Sequence, residues 1–250
     1  MIAVLFAAAL AAQAPAAPLP APATCVEGRG VESATCRATQ AANGGRFAEA
    51  AGAFEEAATL SMAVSATVGD ARADKLLAAA GNMWIAANEP GKAALALDRA
   101  LAGSGLAPLQ RGEALLDRAR AAEAQDDLKT ARAKVSEAEA SIAADPFLWY
   151  FSAALAIREN NPAAAKIAIG RALALAPSDP TILFEAGHVA HAAGDEAQAR
   201  HYWSQADRFD TNGAIGKAAR EALLLLAPQP ADGAAGPPQK PADAQPKPAQ

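Results

Sequence analysis

The 250-residue chain has few aromatic residues, few β-branched residues and no excess of basic charge. Only 5% of its residues are aromatic, whereas alanine recurs throughout and favours helices. The net charge of −5 leaves no basic stripe to neutralise phosphates, so nucleic acid is excluded as a partner. These absences predict a helical, acidic protein that is long enough for one or two domains with a core.

The chain also lacks a hydrophobic run long enough to span a bilayer. An apolar run extends from Ile2 to Ala12, and prolines and small residues follow it. This pattern predicts an export signal at 1–16 and a leader segment at 17–30. Because no Lys or Arg precedes the run, an uncleaved apolar leader is the alternative. The expected location is periplasmic or secreted, with no stable membrane span after signal cleavage.

Cysteine is nearly absent, since Cys25 and Cys36 are the only two. Residues 22–24 lack the aliphatic and small residues of a bacterial lipobox, so we expect no lipid anchor on Cys25. An even number of cysteines in an exported protein favours a disulfide, here between the leader segment and the first helix. Two free thiols are the alternative. Neither cysteine has a nearby histidine that would activate it as a nucleophile.

A repeat of 34 residues is the main positive feature of the sequence. Segments 146–179 and 180–213, each read from an Asp-Pro pair, align without a gap. Residues of similar size coincide at this offset, as in Trp149 with Leu183, Ala153 with Gly187, and Ile169 with Trp203. Three weaker copies occupy 31–64, 74–107 and 112–145, and inserts at 65–73 and 108–111 interrupt them.

The repeat resembles the tetratricopeptide repeat (TPR), a helix–turn–helix unit with the pattern W-x2-L-G-x2-Y, A-x3-F and P. Residues 146–179 supply Trp149-x2-Ser152-Ala153-x2-Ala156, then Ala165-x3-Ile169 and Pro177. Residues 180–213 supply Leu183-x2-Ala186-Gly187-x2-Ala190, then Ala199-x3-Trp203, with Thr211 at the position of the proline.

The resemblance implies an all-α, right-handed α-solenoid of about five TPR-like helix–turn–helix repeats, with 214–227 as a C-terminal capping helix. The segments NGGR, NEPG, QDD, ENNP and AGDE are expected to be the turns within the five units. Small residues such as Gly187 are expected where paired helices cross, with large residues such as Trp203 beside them. The repeat domain thus covers 31–227, and the Pro- and Ala-rich segment 228–250 is expected to be a disordered tail.

All three histidines, His188, His191 and His201, lie within 14 residues. A metal site would need them to converge, but the resemblance directs His188 and His191 to the inner groove and His201 to the outer surface. We therefore expect no metal. His188 and His191 are partner contacts or pH-sensitive groove residues, or else exposed helix residues without a special task.

No residue set in the sequence has the setting that catalysis or a phosphate loop requires, so neither an enzyme nor a cofactor is expected. By resemblance, the first helix of each unit lines a concave groove that binds a protein or peptide. The groove residues with aromatic or cationic side chains are Arg120, Phe147, Tyr150, Arg158, Phe184, His188 and His191. Arg120 or Arg158 is expected to pair with an acidic group of the partner. Phe147 and Phe184 have a second interpretation, as packing between neighbouring units.

The sequence therefore predicts a non-catalytic interaction scaffold or adaptor in the cell envelope. One alternative is a structural module that self-associates through the ends of its array. A second alternative is an accessory factor of an envelope transport or polysaccharide assembly system that acts through its tail.

Overall fold

The computed structural model describes Cys25 and residues 28–64 and 70–226, so the predicted signal, most of the leader and the predicted tail lie outside the described residues. The described residues form helices and no strands. The helices are α1 (Val31–Asn43), α2 (Phe47–Val64), α3 (Ala71–Ala86), α4 (Pro90–Ala102), α5 (Pro108–Glu123), α6 (Leu128–Ile142), α7 (Pro146–Arg158), α8 (Pro162–Leu175), α9 (Pro180–Ala192), α10 (Glu196–Phe209) and α11 (Ala214–Leu225). The first ten pair into five antiparallel units, and α11 packs against α10 and α9. The predicted fold is confirmed.

The turn inside each unit has the same geometry. One residue of each turn has a positive φ, namely Gly45, Asn88, Asp126, Asn160 and Gly194. The next amide donates to a carbonyl five residues earlier, as from Asp195 to Ala190 at 2.9 Å. This bond satisfies a carbonyl that the end of the helix leaves without a partner. Each of these residues lies within one of the five predicted turn segments, so those turns are confirmed.

Short polar side chains set where the helices begin. Asp145 and Asp179 each precede a proline, and their carboxylates accept from the amides of Phe147 and Thr181, both at 2.8 Å. Proline fits the first helical position because it has no amide hydrogen that would need a partner there. The Asp-Pro pairs used to align the sequence are therefore the N-terminal caps of α7 and α9.

Glycine allows the closest approach between paired helices. A Cβ atom on Gly187 would overlap the indole ring of Trp203 on α10, and one on Gly81 would overlap the side chain of Leu97 on α4. The Trp203 Nε1 atom also donates to the carbonyl oxygen of Phe184 at 3.0 Å. The predicted pairing of a small residue with a large one is thus seen directly in the second and fifth units.

The structure corrects the positions of the two inserts. Residues 108–111 are the first turn of α5, which begins at Pro108, and α3 begins at Ala71, inside the predicted insert 65–73. The connection between the second and third units is 103–107, where the Gly105 amide donates to Asp74 at 2.8 Å. The fixed period misplaced these boundaries because it ignored two helix starts, Pro108 of α5 and the Asp70 cap of α3, whose side chain accepts from the Arg72 amide. The capping helix ends at Leu225.

The odd-numbered helices form the inner layer of the array. α3 packs on α5, α7 on α9, and α9 on α11, whereas no two even-numbered helices pack to that extent in the described residues. The layer whose helices contact one another follows the shorter path, so it lines the concave surface. Two pairs of successive odd-numbered helices are exceptions, α1 with α3 and α5 with α7, because neither pair is packed as α3 and α5 are. Within the described ranges, no helix combines the length and apolar character needed to cross a membrane.

Candidate partner-binding groove

The predicted partner-binding residues lie on α5, α7 and α9, whose inner surface is called the groove below. Arg120 lies on α5, Phe147, Tyr150 and Arg158 on α7, and Phe184, His188 and His191 on α9. All are partly buried except His191, which is exposed. Because α5 and α7 lack extended packing, polar side chains connect these two helices across the groove.

Arg158 makes the main connection between α5 and α7. Its Nη1 atom donates to the carbonyl oxygen of Glu123 at 2.9 Å and also binds the Glu123 carboxylate. Its Nη2 atom donates to Asp126 at 2.7 Å. The guanidinium therefore joins the fourth unit to the last turn of α5 and to the residue with positive φ that follows it. The Arg158 guanidinium is already bound to acidic groups of the chain itself, whereas the sequence predicted that it would bind an acidic group of a partner.

Arg120 is also paired within the chain. Its Nη1 atom lies 3.0 Å from Asp117, one turn earlier on α5, and Asn82 of α3 donates to the same carboxylate at 2.8 Å. A partner acid would have to displace one of these contacts. Both arginines predicted to bind an acidic group of the partner, Arg120 and Arg158, are therefore already bound within the chain.

Glu113 carries a carboxylate with no cation beside it. Its side chain is exposed on α5, and no hydrogen bond or ion pair from it occurs in the described part of the chain. Partial burial raises the pKa of Glu113, and repulsion by Asp117 and Asp145 raises it further. Like charges on α5 and at the cap of α7 therefore repel one another.

Tyr150 lies on α7, the middle of the three groove helices. Its ring meets that of Phe147 edge-on, with the centroids 6.4 Å apart. Burial raises the pKa of Tyr150 to about 12; the charge of Glu185 adds to the increase and Arg120 opposes it. Its hydroxyl forms no hydrogen bond with any described residue. The ring is therefore fixed by packing, while the hydroxyl is available for an additional partner.

Glu185 is a buried carboxyl group on α9. Only 5% of the residue is exposed, and its Oε1 atom has no hydrogen-bond partner among the described residues. It shares one side of α9 with Ile182, Ala186 and Val189, which belong to the core formed with α7 and α8. Burial raises the pKa of Glu185 to about 7. The groove thus contains a carboxyl group that is largely uncharged at mildly acidic pH.

His188 and His191 both lie against Trp203 rather than against each other. The ring centroids of His188 and Trp203 are 5.3 Å apart, and those of His191 and Trp203 are 5.8 Å apart. His188 also meets Phe184 edge-on at 4.6 Å. Burial, with a smaller effect from nearby His191, lowers the pKa of His188 to about 4. His188 is therefore a packed side chain that stays neutral near pH 7.

His201 lies apart from this cluster, on α10, and its ring contacts Tyr202 at 5.6 Å. No group of three His, Cys, Asp or Glu side chains in the described residues is arranged to hold a metal ion.

At the other end of the chain, Cys25 and Cys36 form a disulfide. That bond attaches Cys25 to α1 of the first unit.

Helical register places Glu113 on the concave side of α5 with Arg120, but the predicted partner-binding residues do not include it, and they include neither Asp117 nor Glu185. The sequence does contain an indication for Glu185, because this carboxylate lies on the same face of α9 as Ile182 and Val189, a face that is otherwise apolar. It contains none for Asp117, because the bond that Asp117 accepts from Asn82 comes from another helix. Scattered carboxylates on a helix are usually solvated surface.

Comparisons with solved structures identify this arrangement of helices. A structure described as a "TPR protein with an unusual peptide-binding site", YrrB, matches with a TM-score of 0.54 and 14% identity, over 76% of this chain and 91% of that one. The chain has the TPR fold. PilW, described as a "widely conserved type IV pilus biogenesis factor", matches with a TM-score of 0.63 and 15% identity, over 77% of this chain and 83% of that one.

The TPR fold is also shared with a much longer protein. A chain of the "APC/C hetero-tetramer Cut9-Hcn1" matches with a TM-score of 0.62 and 15% identity over 78% of this chain, which spans only 36% of that chain. No family model and no curated protein sequence matches this TPR chain. At such low identities the structural likeness establishes the fold alone.

Proposed function

We propose that this TPR protein is a non-catalytic scaffold that holds a peptide or partner subunit in the groove of α5, α7 and α9. The observation that carries the proposal is Tyr150, an aromatic residue on the middle helix of the groove whose hydroxyl forms no hydrogen bond with a described residue. Tyrosine is enriched at binding hot spots because it combines a large apolar surface with a polar end. Phe147, Phe184 and His188 extend the aromatic surface on either side.

The proposed location is the periplasm or the cell exterior. The apolar segment at 1–16 supports export, and a disulfide between Cys25 and Cys36 suits an oxidising compartment. The pilus biogenesis factor PilW has a similar fold, which is consistent with a role in envelope assembly. Detecting the chain in a periplasmic or culture-medium fraction, with its N-terminus cut near residue 16, would test this location.

A capture experiment tests the groove as the binding site. Purified protein, Tyr150→Ala and Phe209→Ala would each be immobilised and exposed to envelope extract. Phe209 is a matched control, because it is an aromatic residue on α10 and 57% exposed. We expect a partner that the unchanged protein and Phe209→Ala retain and that Tyr150→Ala loses, although all three melt cooperatively. Equal retention by the two variants would contradict the proposal.

Self-association is a second candidate function, supported by the C-terminal end of the array. Leu224 and Leu225 on α11 are 84% and 88% exposed, which is unusual for adjacent large apolar residues. If this end binds a second copy, the mass measured by light scattering will rise with protein concentration. Replacing both leucines with glutamate will keep the protein monomeric. A constant monomer mass for the unchanged protein would exclude this candidate.

A further inference from the structure

We propose that the segment bound in the groove is cationic. One lysine or arginine side chain of the partner would lie among Glu113, Asp117 and Asp145. A second would donate to the Tyr150 hydroxyl, beside Glu185. The inference rests on the proposed function of the groove, and it adds the charge of the occupant.

The charges of the groove leave acidic groups in excess. Arg158 is used by Glu123 and Asp126, and Arg120 is used by Asp117. The other two arginines of α5, Arg111 and Arg118, bind the Leu101 carbonyl oxygen and Asp98 on α4, and α7 has no cation besides Arg158. A partner with acidic groups would therefore meet carboxylates without free guanidinium groups to bind, whereas a cationic partner would find complementary charge.

The first cation position is formed by α5 and the cap of α7. Glu113 and Asp117 are one helical turn apart on α5, the charges of Asp117 and of Asp145 at the cap of α7 both act on Glu113, and Glu113 has no cation of its own in the described residues. Asp117 and Asp145 are fixed in place by bonds from Asn82 and from the Phe147 amide. An ammonium or guanidinium group among the three would relieve their mutual repulsion without moving either fixed carboxylate.

The second position follows from unsatisfied polar atoms on α7 and α9. Glu185 is 5% exposed, and its Oε1 atom lacks a partner within the described structure. A buried carboxyl oxygen without a partner is unfavourable, and such groups in native proteins are uncommon. The charge of Glu185 acts on Tyr150, whose hydroxyl is likewise without a bond. The Tyr150 hydroxyl and the Glu185 carboxylate can each accept a hydrogen bond, and the head groups of lysine and arginine carry several N–H donors and no acceptor.

Fluorescence anisotropy with two defined peptides tests the proposal. The probes are a labelled peptide of alternating lysine and alanine and a peptide of the same length with glutamate in place of lysine. Both would be titrated with the full exported chain at low and high salt. The variants are Glu113→Gln, Glu113→Lys, Glu185→Gln and, as the matched control, Glu221→Gln. Glu221 is exposed on α11, away from the groove, and its replacement changes the net charge equally.

We expect the lysine peptide to bind and the glutamate peptide not to bind. Glu113→Gln will weaken binding by roughly three- to ten-fold, Glu113→Lys and Glu185→Gln will weaken it at least as much, and Glu221→Gln will leave it within about two-fold. Equal losses for Glu113→Gln and Glu221→Gln would overturn the inference, because binding would then follow net charge alone. Preference for the glutamate peptide would also overturn it.

The two proposals fail separately. If Tyr150→Ala loses the captured partner but Glu113→Lys binds the lysine peptide as the unchanged protein does, the groove is the site and its occupant is not cationic. If Tyr150→Ala retains the partner, the proposed function fails whatever the peptides show.

Discussion

Arg158, the last residue of α7, binds both the carbonyl oxygen and the carboxylate of Glu123, the last residue of α5. Through this contact the third and fourth units are connected at a point where their inner helices are not packed along their lengths. Arg132 on α6 makes a second connection, binding Glu159 at 2.7 Å and the Ser152 hydroxyl at 2.8 Å. Charged side chains therefore contribute where apolar packing between inner helices is weak.

Replacing Arg158 with alanine will lower the free energy of unfolding by about 1–3 kcal/mol, because it leaves the partly buried carboxylate and the carbonyl oxygen of Glu123 without their partner. Urea unfolding followed by circular dichroism measures the change. Arg46→Ala is the control, since Arg46 binds Glu49 at the same 2.7 Å distance as Arg158 binds Asp126 but on the surface, and should cost less than about 0.5 kcal/mol. Equal losses would show that the Arg158 contacts contribute no more than a surface pair.

Two glycines inside helices should respond to alanine in opposite directions. Gly187→Ala will destabilise the protein by about 1–3 kcal/mol, because the added methyl group overlaps the Trp203 ring. Gly170→Ala on α8 will stabilise it by up to about 1 kcal/mol, because nothing lies near its Cβ position and alanine favours the helix. Thermal unfolding of the two variants measures both effects. A loss for Gly170→Ala, or none for Gly187→Ala, would contradict the packing described here.

Glu185 should make the protein less stable as pH rises. Its pKa is about 7 in the folded chain and near 4.5 when unfolded, so the unfolded state loses its proton first. Between these values the stability falls by about 3 kcal/mol in all, and above them it levels off. Glu185→Gln removes this dependence, which urea unfolding at a series of pH values will show. An unchanged slope in the variant would mean that another group is responsible.

His188 should act in the opposite direction. Its pKa is about 4 in the folded chain, against an ordinary 6.5, so the unfolded state takes up a proton first as pH falls. Stability is complete above pH 6.5 and decreases by about 3 kcal/mol as the pH approaches 4.

Glu185 and His188 change the stability in opposite directions over part of the same pH range. In that range the stability of the unchanged protein will therefore vary little with pH. His188→Gln will expose the loss at higher pH that Glu185 causes, and Glu185→Gln will expose the loss at lower pH. His201→Gln is the control for the histidine, because His201 is exposed on α10. A profile for His188→Gln that matches the His201→Gln profile would contradict the assignment.

Much of the fold follows from local sequence. The turns depend on Asn, Asp or Gly at a left-handed position, and the crossing of α9 and α10 depends on Gly187 with Trp203; both patterns are visible in the sequence. The groove is harder to predict. Arg158 was recognised as an inner residue, but its bond to Glu123 depends on how one unit is rotated on the next. Side-chain periodicity within a helix carries no information about that rotation.

The repeated turn geometry also has an evolutionary consequence. Asp126, Asn160 and Gly194 are each 34 residues apart, and each ends its helix with the same backbone hydrogen bond. A genetic duplication or deletion of one such segment would join a helix to the same kind of turn that it already has. The length of the array, and with it the number of residues that face a partner, can therefore change in whole units while every remaining turn keeps its conformation.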